Sequence, residues 1–262
     1  MKISCVQMDM AFCDPEACFT KAEKLISEAV KENPDVIVLP ETWNTGFFPR
    51  SELERLADDD GKRVKQLMGG LAKKFGVNVV AGSVTNKKNG GVYNTAFVFD
   101  RKGNEVAEYD KAHLFTPMGE DKYYQKGDKL AFFELDGQKC GIIICYDIRF
   151  PEWVRSYTVK GLDFLFVVSQ WPKVRVPHLN ALTKARAIEN QMFVICCNSC
   201  GTAGKTVYGG SSTITDPWGE VIAQAGDSEE TITAECDPSI LKNIRETINV
   251  FRDRRPEIYD IK

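Results

Sequence analysis

The sequence predicts an α/β fold in which buried strands alternate with amphipathic helices. Short β-branched runs without polar alternation, such as Val36-Ile37-Val38-Leu39 and Gly141-Ile142-Ile143-Ile144, mark strands buried on both faces. Helical stripes lie between such runs: Val64, Leu67, Met68, Leu71 and Phe75 share one face over residues 62–75. The turn signals Asn89-Gly90-Gly91, Lys102-Gly103-Asn104 and Asp136-Gly137 add hairpins to the middle.

Taken in order, residues 2–8 read as a strand. Asp14 caps a helix begun by Pro15, with Phe19, Ala22, Leu25, Ile26, Ala29 and Val30 on one face, and Asn33-Pro34 ends it. Residues 35–39 form a buried strand that terminates at Pro40-Glu41. The helix over 62–75 stops at Gly76. Strands follow over 77–84, 92–100 and 105–109, and the polar stretch 116–128 reads as a loop. Residues 130–135 and 138–145 make a hairpin. A helix over 151–160, a strand over 163–168, a helix over 178–190 and a strand over 192–197 resume the alternation. After residues 206–216 and the turn Pro217-Trp218-Gly219 come strands over 220–223 and 230–236, then a short helix opened by Asp237-Pro238. The tail 250–259, charged and aromatic, reads as docked. With no linker, charge block or short-period repeat, the pattern is one domain over 1–262.

Composition narrows the function. A hydrophobic content of 43% with 27% charged residues suits a globular protein with a good-sized core. A net charge of −3 gives no electrostatic case for binding nucleic acid or an anionic membrane. The start, Met1-Lys2-Ile3-Ser4-Cys5-Val6-Gln7, is too short and polar for a signal peptide, and no apolar run approaches a membrane span, so a cytoplasmic location is expected. Nine cysteines, an odd number, fit reduced thiols rather than a disulfide framework. Cys196, Cys197 and Cys200 have the look of a metal cluster. Adjacent strand residues point to opposite faces, however, and no C-x-x-C partner exists, so they read as small buried hydrophobes. No metal and no cofactor is expected.

The chemistry is expected at Cys145. It ends the buried run 141–144, and Asp147, Pro151 and Glu152 suit a helix that follows immediately. A thiol on such a turn is held rigid and exposed at the strand's carboxyl end, where α/β sheets place their ligands. The Tyr146 N–H is available there to a developing oxyanion. Neither His113 nor His178 sits at a strand end as a base for it. Glu41 does, directly after a strand and a proline, although alone it would read as a solvated loop glutamate. Lys111 by itself would read as surface, and Glu120 as a solvated loop carboxylate. Energetics limit how Glu41 could serve. Free Cys and Glu differ by about four pKa units, roughly 6 kcal/mol for the proton transfer. Glu41, Lys111 and Cys145 therefore work together only in a closed, desolvated pocket.

Three stretches in this order, Val-Ile-Val-Leu-Pro40-Glu41, Tyr109-Asp110-Lys111-Ala112-His113-Leu114-Phe115 and Gly141 through Cys145 to Glu152, resemble the nitrilase superfamily of carbon–nitrogen hydrolases. Lys184 to Gln191 and Asp216-Pro217-Trp218-Gly219-Glu220 extend the likeness along nearly the whole chain. The resemblance implies a four-layer αββα sandwich whose monomers usually pair as dimers. It also implies Glu41 as general base, Lys111 at the tetrahedral intermediate, Cys145 as nucleophile and Glu120 as a supporting glutamate. Within the superfamily the chain looks most like the ω-amidases, which hydrolyse the terminal amide of 2-oxoglutaramate and 2-oxosuccinamate. Trp43-Asn44-Thr45-Gly46, Trp171 and His178 fit that group, whereas Gly210 stands where relatives often carry His. A short acidic amide needs a cationic end to its pocket. Arg175, just after the strand over 163–168, is the candidate, and Arg149, close behind Asp147, is expected to be tied up structurally. Rival readings are hydrolysis of an N-carbamoyl amine or a nitrile, a non-catalytic binding relative, and a thiol redox protein. The last would want a second Cys where Ile148 stands.

Overall fold

The structure, a computed structural model, describes residues 1–47 and 49–260. The first half builds one sheet. Strand β1 (Lys2–Gln7) leads to helix α1 (Pro15–Ala29), strand β2 (Val36–Val38), the single turn α2 (Leu53–Leu56) and the short β3 (Asp58–Asp59). Helix α3 (Lys62–Phe75) precedes β4 (Asn78–Lys88), β5 (Gly91–Phe99) and β6 (Glu105–Asp110). The second half opens with the hairpin β7 (Phe132–Leu135) and β8 (Gln138–Ile144). It continues through α4 (Pro151–Thr158), β9 (Phe164–Ser169), α5 (Val176–Asn190) and β10 (Phe193–Asn198). Strands β11 (Cys200–Ala203), β12 (Thr206–Gly209), β13 (Thr213–Thr215), β14 (Val221–Gln224) and β15 (Glu230–Glu235) follow, then helix α6 (Ile240–Thr247).

The first sheet has the order β15-β1-β2-β4-β5-β6, with β3 beside β4; the second has the order β14-β13-β10-β9-β8-β7. Strands β11 and β12 form a separate hairpin. At the centre of each sheet the strands are parallel, β1-β2-β4 in one and β8-β9-β10 in the other. That explains their unbroken apolar runs, because helices cover one face and the other sheet covers the second. The pleat sorts the side chains accordingly. Val36 and Val38 join the core shared with Ile143, Phe166 and Ile195, while Ile37 and Leu39 join a second core with Phe19 and Ile26 of α1 and Val64 and Met68 of α3. Val154 and Tyr157 of α4 and Leu179 and Ala187 of α5 pack on the second sheet. The layers are α, β, β, α.

Local signals account for most element boundaries. The Asp14 carboxylate accepts from the Ala17 N–H at 3.0 Å, with Pro15 in the first turn of α1. Gly76 closes α3 at φ +64°. Elsewhere the structure departs from the expectation. The helix that follows Cys145 is not at first an α-helix. A 3₁₀ turn over Cys145–Arg149 comes first, because the Asp147 carboxylate bonds back to the Ile144 N–H instead of capping α4. The stretch 116–128 holds two 3₁₀ turns, Thr116–Met118 and Glu120–Lys122. Residues 206–216 divide between β12 and β13, with the break at Gly210 and Ser211, which have φ of +58° and +60°. The tail 250–259 is mostly exposed, although Phe251 lies 5.3 Å under the Arg155 guanidinium.

Candidate active site

Three strand ends converge. Glu41 follows β2 and Lys111 follows β6, both in the first sheet, and Cys145 follows β8 in the second. Glu41 reaches the meeting point because the chain around it is pinned from two sides. Its N–H donates to the Ser169 carbonyl of β9 at 3.3 Å, and the Ser83 N–H donates to the Pro40 carbonyl at 3.0 Å. The approach of β4 to Pro40 requires Gly82. Its φ is +63°, and a Cβ there would lie 2.0 Å from the Pro40 oxygen. The register of β4 against β5 slips between Val80 and Ser83, so Gly82 sits in a bulge.

Lys111 is 1% exposed and Glu41 fully buried. The Lys111 Nζ donates to Glu41 Oε1 at 2.8 Å and to both Glu120 oxygens at 2.9 Å. Asn94 Nδ2 donates to Glu41 Oε1 at 2.9 Å, and the Phe115 N–H donates to Glu120 Oε2 at 2.6 Å. Glu120 is thus a buried partner of Lys111 rather than a solvated loop carboxylate. Glu41 Oε2 has no bond of ordinary geometry among the described residues, and the Cys145 thiol lies within reach of this carboxylate as a donor. Cys145 is 9% exposed, so it lies at a pocket floor and is not exposed as the sequence suggested. It holds φ +49°, a left-handed conformation that a side chain disfavours by about 1–2 kcal/mol.

Two carboxylates face one ammonium, and that sets the proton affinities. Burial raises the Glu41 pKa above its ordinary value; Glu120 adds to the rise, and Lys111 works against it. Burial alone would lower Lys111, but Glu120 and Glu41 hold it well above its usual value. The Cys145 thiol is pushed well up, first by burial and then by the Glu41 charge. Both the Cys145 thiol and the Glu41 carboxyl therefore hold a proton more tightly than the free groups would.

Above the cluster lies a pocket of about 360 Å³, counting its open mouth. Cys145, Lys111 and Gln170 line it with the apolar Phe115, Met118 and Trp171. Tyr146 lines it too, its ring 4.9 Å from that of Phe115. Arg149 and Arg175 also line it. Arg149 is not tied up by Asp147. Its guanidinium lies over the Trp171 ring at 4.6 Å, with Nη2 3.3 Å from His178 Nδ1. Arg175 lies over the Phe115 ring at 4.9 Å. None of these contacts supplies a counter-charge. Trp171 is 3% exposed, and its indole N–H has no partner among the described residues.

The structure brings Glu41, Lys111, Glu120, Cys145, Tyr146, Trp171, Arg175 and Arg149 to one place and adds Asn94 and Gln170. Asn94 carried no signal, because nothing in the pattern of β5 marks it from its neighbours. Gly210 proves to be a backbone device. A Cβ there would lie 2.5 Å from both Gln7 Nε2 and the Gly226 carbonyl, and the residue is not among those lining the pocket. Cys196 and Cys197 are fully buried; the Cys197 thiol donates to the Val6 and Val38 carbonyls at 3.3 Å. Among the described residues no helix is long and apolar enough to cross a membrane.

Residues 2–246 match the carbon-nitrogen hydrolase family. The chain is 45% identical over 257 residues to a 2-oxoglutaramate amidase of Bacillus subtilis, covering 98% of both chains. It is 34% identical to an omega-amidase NIT2 of Xenopus tropicalis, covering 92% of this chain and 91% of the relative. Among solved structures it superposes with TM-score 0.92 on XC1258, a CN-hydrolase superfamily protein of Xanthomonas campestris that carries an arsenic adduct in its active site. That match covers 100% of this chain and 99% of the other at 26% identity. It also superposes with TM-score 0.90 on Nit3 of Saccharomyces cerevisiae, a nitrilase-superfamily member, at 28% identity over 99% and 97% of the two chains. Motif order, sandwich and relatives agree: the chain belongs to the carbon-nitrogen hydrolase family and is a hydrolase of carbon–nitrogen bonds other than peptide bonds.

Proposed function

We propose that the protein is an ω-amidase that hydrolyses the terminal amide of short 2-oxo acid or dicarboxylic monoamides, 2-oxoglutaramate and 2-oxosuccinamate above all, to acid and ammonia. One observation supports this most. The Cys145 thiol and the Lys111 ammonium, itself bonded to the buried Glu41, line a pocket whose wall bears two arginines that contact rings and His178 rather than carboxylates. The 2-oxoglutaramate amidase and ω-amidase relatives support the same substrate class.

In this reading Cys145 Sγ attacks the amide carbon while Glu41 takes the thiol proton. The net charge of the cluster is unchanged by that transfer, so the buried site pays no new desolvation cost. Lys111 and the Tyr146 N–H hold the oxyanion. The tetrahedral intermediate collapses, the C–N bond breaks, and Glu41 returns its proton to the leaving ammonia. A thioester remains. Glu41 then removes a proton from water, which attacks the thioester carbon; the C–S bond breaks, Glu41 returns the proton to the Cys145 thiolate, and the acid is released. Glu120 and Asn94 hold Lys111 and Glu41 in place. Arg175 and Arg149 bind the acidic end of the substrate, with Trp171 beside them. One domain carries the whole site, and two copies pair as a homodimer.

Ammonia release from 2-oxoglutaramate, succinamate, N-carbamoylputrescine and a simple nitrile tests the proposal. The first should be turned over best. Preference for the carbamoyl amine or the nitrile would replace it with the rival chemistry.

A further inference from the structure

Asp147 is fully buried, two residues beyond Cys145. Its carboxylate is the junction of a network that neither the proton transfer nor substrate binding uses. Oδ2 accepts from the Tyr109 hydroxyl at 2.7 Å and from the Ile144 N–H at 3.0 Å. Oδ1 accepts from the His113 N–H at 2.8 Å and lies 2.8 Å from His113 Nδ1. The Tyr109 hydroxyl accepts in turn from the Trp153 indole N–H at 3.1 Å, and the His113 ring stacks on Phe150 at 3.8 Å. The spacing gives this network its meaning. Tyr109 and His113 stand two residues to either side of Lys111, while Ile144 and Asp147 bracket Cys145. These segments leave different sheets, β6 in one and β8 in the other.

We propose that Asp147 is a positioning residue that clamps the Lys111 segment to the Cys145 turn, and so fixes the thiol relative to the ammonium. The left-handed Cys145 needs such a restraint, because a residue at φ +49° relaxes unless its surroundings over-determine it. An asparagine in its place would present an NH₂ group where two donors now point, so at least one side of the clamp would open. A displacement on the order of 1 Å at a reacting atom can cost about 100-fold in rate.

The proposal rests on the amidase reading for its turnover readout and on geometry alone for its thiol readout. Asp147→Asn is compared with the wild type in three measurements. These are thermal midpoint, kcat and KM for 2-oxoglutaramate per titrated active-site thiol, and the rate of Cys145 alkylation by iodoacetamide, followed on the Cys145 peptide. We expect kcat to fall about 100-fold with KM within threefold, and alkylation of Cys145 to slow at least fivefold. A merely structural role would lower the midpoint and leave kcat per titrated thiol at the wild-type value; that result, or an unchanged alkylation rate, overturns the proposal. Tyr109→Phe removes one donor and keeps the charge, and it decides the matter if Asp147→Asn does not fold. Its kcat should fall three- to tenfold, and wild-type kcat with wild-type alkylation would again overturn the clamp. Should the wild type leave 2-oxoglutaramate untouched, the substrate reading fails, while the alkylation rates still decide the role of Asp147.

Discussion

At the scale of single residues, the site depends on charges that are buried and matched. Removing one partner from a buried ion pair costs about 3–5 kcal/mol, because the other charge is left uncompensated. Lys111→Met leaves two carboxylates facing each other, so it should lower stability by about that amount in denaturant titration and abolish ammonia release. Cys145→Ala removes the proposed nucleophile and no charge. It should keep the wild-type unfolding midpoint to within a few degrees and lose turnover entirely; a residual tenth of the activity would rule out the thioester route. With Glu41 as the proposed base, its raised pKa should shape the acid side of the activity profile. The base is lost where it becomes protonated, so kcat/KM should decline at a pH above the ordinary glutamate range near 4.3. An acid limb at or below that range would mean that Glu41 is not the base. For the arginines, loss of a charge-assisted contact costs about 1.5–3 kcal/mol. Arg175→Ala should therefore cut kcat/KM for 2-oxoglutaramate by roughly ten- to a hundredfold and spare a neutral amide of similar length. Equal losses on both substrates would remove Arg175 from the substrate site.

Element by element, the proposed catalytic trio was legible because each member ends a recognisable unit. Glu41 and Cys145 stop apolar runs that could only be buried strands, and Lys111 follows a strand set off by turn residues. Their burial was not legible one residue at a time, since a glutamate or lysine at a strand end is usually solvated. It became so only when the proton-transfer energetics demanded a closed pocket. Asn94, and the partners of Asp147 and Arg149, escaped for a different reason. All three side chains act through partners from distant segments, and hydrogen bonds across sheets leave no periodic trace. Gly82 escaped as well, because a glycine within an apolar stretch reads as a weak strand residue until the close Pro40 oxygen is seen. Gly82→Ala would add both a clash and left-handed strain there. Overpacking costs about 1–3 kcal/mol and the strain about 1–2 more. The unfolding midpoint should drop by several degrees and activity should fall with it, because Glu41 hangs on the displaced segment. An unchanged midpoint would show that the bulge can shift without cost.

For the whole molecule, the architecture followed from alternation and the sandwich from resemblance, but the sheet order did not, since pairing between β1 and β15 spans nearly the full chain. Surface charge tunes stability at this scale. The Lys2 N–H and the Arg101 guanidinium hold Asp35 below its ordinary pKa although burial opposes them. Lys88 and Lys65 do the same for Glu108. A carboxylate with a lowered pKa contributes its stabilisation fully above the unfolded-state value, near 4, and loses it as pH falls through the folded-state value. Glu41 works in the opposite sense, favouring the fold while protonated and losing that advantage as pH rises. Thermal midpoints should hold between about pH 7 and 5 and fall below about pH 4. Arg101→Ala should flatten that acid fall, and an equally steep fall in the variant would show that this ion pair does not set it.

The place of β1 between β2 and β15 matters most while the protein is being made. A ribosome delivers β1 long before β15, yet Lys2 pairs with Glu235 and the Gln7 side chain donates to the carbonyls of Gly226 and Ser228. Through most of synthesis β1 is therefore an open edge, with its backbone donors and acceptors free to join another chain. The emerging polypeptide should stay sensitive to protease, and dependent on whatever shields such edges in the cell, until the segment beyond residue 235 has cleared the exit tunnel. Protease digestion of nascent chains stalled at increasing lengths would show this as a late, abrupt gain of resistance rather than a gradual one.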